Sequence, residues 1–270
     1  MKGNPIVALV ASIQAFFITD CDNTIAYYDN EGVPPTDLIE LPASSGSGKT
    51  AYVAKSCLQE LEDLASISTV ICASGMRVST MLQRQPFFLP VSYWICENGG
   101  RIYCKDKTDS SVKEIIEWKD YVYNESAKIN ASEELSLFAS QLSLTGWNVD
   151  TNYETMIRVK KSPETSTSSG FESVISMIPA NLKYTFNLGH LDIQLPMCSK
   201  LAASTWLMNH ITASKKENTV ENNNEDSCMK SNVPSNVHTI HTIHTIHPPP
   251  SFLFMGDDDN DVGVCVIFFI

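Results

Sequence analysis

Ala15-Phe16-Phe17-Ile18-Thr19-Asp20-Cys21-Asp22-Asn23-Thr24-Ile25 decides how the rest of the chain is read. Five apolar or β-branched residues form a short run of the kind found in buried strands, and two carboxylates follow at i and i+2. A strand that ends this way presents both acids at the carboxyl edge of a sheet, where open α/β folds bind ligands. There, one acid can attack an electrophile while its neighbour handles a proton. By itself the segment is equally compatible with a strand followed by an acidic turn.

Working outward, the first hundred residues alternate strand and helix. A polar loop with Gly32, Pro34, Pro35 and Pro42 follows the acids, and Val53, Cys57, Leu58, Leu61 and Leu64 are spaced for one face of a helix over 50–66. Ser68 to Ala73 predicts a second buried strand, 78–84 a helix, and Val91 to Cys96 a third strand ending in Glu97-Asn98-Gly99-Gly100. This order predicts an α/β fold, an open parallel sheet in a three-layer α/β/α core. Near Lys105 the character changes. Residues 105–195 predict an inserted α+β cap with antiparallel strands at 156–160, 183–188 and 191–195, leaving 1–104 and 196–270 as the core. An amphipathic helix follows Lys200. Residues 213–250 are low in complexity, with His-Thr-Ile repeated before three prolines, and predict an unstructured insertion.

A net charge of −12 argues against a nucleic-acid or anionic-membrane surface, because phosphates are repelled over most of the exterior. No apolar run reaches the ~18 residues needed to span a bilayer. The apolar start, Ile6 to Ala15, reads as an ordinary lead-in. Eight cysteines occur without a C-x-x-C pair, which removes zinc-ribbon and redox-motif chemistry and fits small core thiols in a reducing, cytoplasmic compartment.

Three further elements complete a pattern. Ser74-Gly75-Met76-Arg77 ends the second strand with a hydroxyl and backbone N–H groups suited to phosphate oxygens. Lys200 opens a helix, where its ammonium can cancel charge on an anion. Phe252-Leu253-Phe254-Met255 leads into Gly256-Asp257-Asp258-Asp259-Asn260-Asp261, a concentration of hard oxygen ligands suited to Mg²⁺. Each element alone has an ordinary structural explanation, as a cap, a surface cation or an exposed loop. Their order along the chain is what carries weight.

These residues resemble the haloacid dehalogenase-like (HAD) phosphatases, and within them the large-cap branch that includes Cof-like phosphatases and sucrose-phosphate phosphatase. The likeness rests on Asp20 to Thr24, Ser74-Gly75, Glu97 to Ile102, Lys200 and Gly256 to Asp261. It implies a Mg²⁺-dependent phosphatase acting on a small phosphorylated metabolite, with a sugar phosphate as the branch's analogy. It also implies roles. Asp20 is the nucleophile that becomes an aspartyl-phosphate, and Asp22 the general acid and base. Ser74, Gly75 and Lys200 bind phosphate, and Asp20, Asp22, Asp257 and Asp261 serve the metal. Two departures stand out. The arginine after Ser74-Gly75 is displaced by one position to Arg77, and the chain ends in Val266-Ile267-Phe268-Phe269-Ile270 where relatives continue. The second departure implies a shortened C-terminus and an uncovered sheet edge.

Rival readings come from other segments. Ala43-Ser44-Ser45-Gly46-Ser47-Gly48-Lys49-Thr50 fits a loose P-loop pattern and points to an NTPase, although the mechanism demands a buried strand just before the loop. The histidines at 238, 241, 244 and 247 invite a transition metal, but the repeat reads better as low complexity. A non-catalytic phosphosugar-binding relative is the remaining alternative.

Overall fold

A computed structural model describes residues 15–28, 35–45, 48–106, 108–160, 170–187, 189–221 and 266–269. Six strands form the first sheet: β1 (Ala15–Thr19), β4 (Thr69–Ala73), β5 (Tyr93–Cys96), β6 (Arg101–Lys105), β7 (Val112–Glu114) and β12 (Val266–Phe269), in the order β12-β1-β4-β5-β6-β7. β1, β4 and β5 are parallel to their neighbours among themselves, whereas β12, β6 and β7 join antiparallel. The expected open sheet is present with its central strands parallel, and strands at both flanks make it mixed. The Glu97–Gly99 turn reverses the chain too tightly for the long crossover that a parallel neighbour requires. β1 pairs along one edge with β12 from the C-terminal tail, Ile18 opposite Val266.

Alternation along the central strands divides the core into two layers. Phe16, Ile18, Ile71, Ala73, Ile95 and Ile102 face α3 (Ile116–Lys128) and α6 (Lys200–Glu221), where Trp118, Val122, Leu207 and Met208 are buried. Phe17, Val70, Cys72, Trp94 and Cys96 face α1 (Lys55–Ile67) and α2 (Val78–Arg84), where Leu61 and Met81 are buried. This is the three-layer α/β/α arrangement.

The helix predicted over 50–66 starts later, at Lys55. Before it, β3 (Ala51–Ala54) pairs antiparallel with β2 (Leu38–Leu41), burying Ala51 and Val53 on one side. Those four residues satisfy a two-residue period, which the apolar spacing from Val53 onward obscured. The stretch expected to be unstructured from 213 is helical through Glu221; α6 is already nucleated on the core, and adding a turn costs little once that nucleus exists. Residues 222–250, including the histidine repeat, lie outside the described residues, as does the apolar start through residue 14.

A second sheet is antiparallel throughout, in the order β10 (Lys183–Asn187), β11 (His190–Gln194), β9 (Met156–Lys160), β8 (Asn148–Asp150). One face buries Ile157, Val159, Leu191 and Ile193 against α4 (Ala131–Leu144) and α5 (Gly170–Ile175). The same apolar cluster continues without a break into the α3/α6 layer of the first sheet. The opposite face of this second sheet carries Arg158, Lys160, Asp192 and Gln194, and it is the face turned to the site. No helix among the described residues is long and apolar enough to cross a membrane.

Candidate active site

β1 and β4 run parallel with Thr19 beside Cys72, so Asp20–Asp22 and Ser74–Gly75 leave the sheet side by side at its carboxyl edge. Asp20 is buried. Its Oδ1 accepts the Cys21 backbone N–H at 2.7 Å and its Oδ2 accepts Lys200 Nζ at 3.0 Å. Lys200 is the first residue of α6, so the helix aims its ammonium at the end of β1 across 180 residues of sequence. Ser74 is buried, and its Oγ accepts the Met76 N–H at 3.1 Å, which leaves the hydroxyl proton available to donate. Of the anticipated residues, Asp20, Ser74, Gly75 and Lys200 gather at one edge. Asp257 and Asp261 lie outside the described residues.

Asp22 is held differently. Its Oδ1 accepts the Tyr28 hydroxyl at 2.8 Å and Arg84 Nη1 at 3.3 Å. Burial, reinforced by the Asp22 charge, pushes the Tyr28 phenol far above its usual range.

Sequence reading missed the second sheet's contribution. Asp192 is wholly buried and accepts Arg158 through both oxygens, at 2.6 and 2.7 Å, together with Asn98 at 3.0 Å and Asn187 at 3.2 Å. Burial works against the Arg158 charge, but Asp192 more than offsets it and the guanidinium holds its proton more tightly than usual. Arg77, the displaced arginine, reaches across to Asp150 on β8 and donates to the Ser45 carbonyl at 2.7 Å. Lys160 also pairs with Asp150, at 2.9 Å. The alternation Met156-Ile157-Arg158-Val159-Lys160 was the available signal: Ile157 and Val159 mark one face, and the cations Arg158 and Lys160 share the other with Met156.

The turn Glu97-Asn98-Gly99 knits the two sheets together. Its three residues have φ values of 53°, 53° and 100°, a run of left-handed backbone. Glu97 Oε2 accepts the Glu154 and Thr155 backbone N–H groups and the Thr155 hydroxyl, at 2.9 to 3.0 Å. Burial pushes the Glu97 carboxyl up, and those hydrogen bonds offset only part of the shift. A Cβ on Gly99 would overlap the Ser199 carbonyl, and one on Gly75 the Asn187 and Asn98 side chains.

Beside Lys200 lies a cleft of about 240 Å³, lined by Asn98, Thr185, Asn187, Gln194 and Ser199 among others. Gln194 Oε1 is buried there and makes no hydrogen bond among the described residues. No group of three or more His, Cys, Asp or Glu side chains able to hold a metal occurs among the described residues.

The P-loop reading is not supported. Lys49 and Thr50 run into strand β3, whereas phosphate cradling needs a helix N-terminus at that point, and Ser44 and Lys49 simply close a β-hairpin.

No protein-family model and no curated protein sequence matches the chain. Among solved structures it is similar to the sucrose-phosphatase from Synechocystis sp. PCC6803 in complex with sucrose and phosphate, at 20% identity over 58% of this chain and 63% of that one, TM-score 0.39. It is also similar to a HAD subclass IIB sugar phosphatase, at 12% identity over 73% and 75%, TM-score 0.44. A third is Plasmodium falciparum IMP-nucleotidase, at 11% over 76% and 52%, TM-score 0.46. The chain thus spans less than two thirds of the sucrose-phosphatase it matches.

Proposed function

We propose that this chain is a HAD-like phosphatase, a Mg²⁺-dependent phosphomonoesterase acting on a small phosphorylated sugar. The observation that carries the proposal is the contact of Lys200 Nζ with Asp20 Oδ2 at 3.0 Å, at the edge where Ser74 also emerges. A buried carboxylate is a poor nucleophile toward a phosphate dianion unless cations cancel the repulsion. Lys200 supplies one such cation. The donors in reach of a metal are hard oxygens, the Asp20 carboxylate and the Asp22 backbone carbonyl, and they fit Mg²⁺ in kind; Asp257 and Asp261 are proposed to complete the set. Mg²⁺, when bound, supplies further neutralisation of the phosphoryl oxygens.

In the proposed reaction an Asp20 oxygen attacks phosphorus and forms the aspartyl-phosphate, while the P–O bond to the leaving group breaks with its electron pair on that oxygen. Asp22 delivers a proton to the leaving oxygen. In the second half, water attacks phosphorus, its proton passes to Asp22, and the electron pair of the Asp20–phosphorus bond returns to the carboxylate. Ser74, the Gly75 backbone and Lys200 hold the phosphoryl oxygens. The adjoining cleft supports the choice of a sugar, since amides and hydroxyls beside the Phe186 ring, in a space of about 240 Å³, suit a polyol with one apolar face. The described cysteines are all free thiols, in keeping with a cytoplasmic setting.

The test is release of inorganic phosphate from a panel of sugar and polyol phosphates, with Mg²⁺ and with chelator. Acid-stable transfer of label from a ³²P-substrate to the wild-type chain, absent in Asp20→Asn, supports the covalent step. Binding of sugar phosphates without turnover would instead point to a non-catalytic relative.

A further inference from the structure

Arg84 is wholly buried, lying at the last position of α2 on the same inward face as Thr80 and Met81. Its Nε donates to the Pro42 carbonyl at 3.2 Å, its Nη1 to Asp22 Oδ1 at 3.3 Å, and its guanidinium lies 5.6 Å from the centre of the Tyr28 ring. Nη2 has no hydrogen-bond partner among the described residues. An enclosed arginine with an unmatched N–H is costly to fold around, and an apolar residue would fill the space without that cost. Tyr28 donates its hydroxyl to the same Asp22 oxygen at 2.8 Å. Among the described residues, every hydrogen bond of the Asp22 side chain falls on Oδ1.

We infer that Arg84 and Tyr28 are positioning residues that pin Oδ1 of Asp22 and thereby present Oδ2 to the leaving group. The inference rests on the phosphatase proposal above. Two donors arriving from different elements, one from the far end of α2 and one from the loop after β1, fix the carboxylate plane more firmly than either alone. A carboxyl group that must deliver a proton and later collect one from water benefits from a fixed plane, because proton transfer tolerates little misalignment. Asp20 and Asp22, two residues apart, are thus anchored from opposite sides, Asp20 by Lys200 on α6 and Asp22 by the α2 layer.

The test compares kcat/KM, with the Mg²⁺-loaded full chain, for an aryl phosphate whose phenolate departs unprotonated and an alkyl phosphate whose oxygen must be protonated as it leaves. Tyr28→Phe and Arg84→Gln are expected to lower kcat/KM for the alkyl ester roughly 10-fold or more beyond any loss on the aryl ester. Placed in an Asp22→Asn background, each is expected to add less than about 2-fold on the alkyl ester, because its effect runs through Asp22. Equal losses on both esters, or losses that persist without the Asp22 carboxylate, overturn the assignment. Should Arg84→Gln fail to fold, Tyr28→Phe decides alone, since it removes one hydroxyl and keeps the ring against Arg84. A wild-type chain that releases phosphate from neither ester overturns the phosphatase proposal, and this assignment with it.

Discussion

Asp192 and Arg158 stand directly opposite each other on adjacent antiparallel strands and share two hydrogen bonds, 2.6 and 2.7 Å long, with the carboxylate sealed from solvent. A buried carboxylate of this kind is tolerated because both of its oxygens accept from the guanidinium. Asn98 and Asn187 add two further hydrogen bonds, both to Asp192 Oδ2.

Removing one partner strands the other. Asp192→Ala is expected to destabilise the chain by about 2–4 kcal/mol, since it removes the carboxylate that answers the partly buried Arg158 charge. Urea unfolding monitored by far-UV circular dichroism checks this, and Asp192→Asn should cost less because its oxygen still accepts.

Glu97 makes stability depend on pH in a defined direction. Burial raises its native pKa above that of the unfolded chain. Between those two values the folded state keeps a proton that the unfolded state has lost, so its contribution to stability falls as pH rises through the window from the ordinary carboxylate range upward. Subtracting the urea-derived stability profile of Glu97→Gln from that of wild type should therefore leave a negative slope in that window. A flat difference would contradict the assigned shift.

Gly75 lets the first sheet approach the amides of Asn98 and Asn187. Gly75→Ala should push Asn187 away from Asp192, a lost hydrogen bond of about 1 kcal/mol. On the proposed function, KM is expected to rise about 5-fold with kcat less affected, read from steady-state kinetics on the best sugar phosphate. Gly99→Ala is harsher, because left-handed backbone and the Ser199 carbonyl oppose it together; a loss of about 1–3 kcal/mol or more is expected by urea titration.

Asp20→Asn is expected to reduce phosphate release at least ~10³-fold, and Lys200→Met about 10²- to 10³-fold, measured as kcat on the same substrate. Chelation of Mg²⁺ should abolish turnover and its re-addition restore it. Lys49→Ala, in the hairpin between β2 and β3, should leave turnover unchanged.

How much was legible beforehand follows from which interactions are local. The Asp20–Asp22 edge, the Ser74–Gly75 turn and the antiparallel strands around 157, 185 and 192 are written in short-range apolar periodicity, and they lie where that periodicity places them. The mixed character of the first sheet was not legible, because it depends on how tightly Glu97–Gly99 turns and therefore on successive left-handed residues, two of which are not glycine. Arg84 and Tyr28 gave no signal either. An arginine at the end of an amphipathic helix looks like a surface cation until the partner buried with it is known. The pairing of Asp192 with Arg158 needed the register of β9 against β11, and alternation alone does not supply a register.

The unbroken apolar cluster beneath the two sheets has one more implication. The second sheet cannot part from the first without exposing that shared interior to water, and the Arg77–Asp150 bridge would have to break as well. On warming, the two sheets should therefore unfold as one event, seen as a single calorimetric transition.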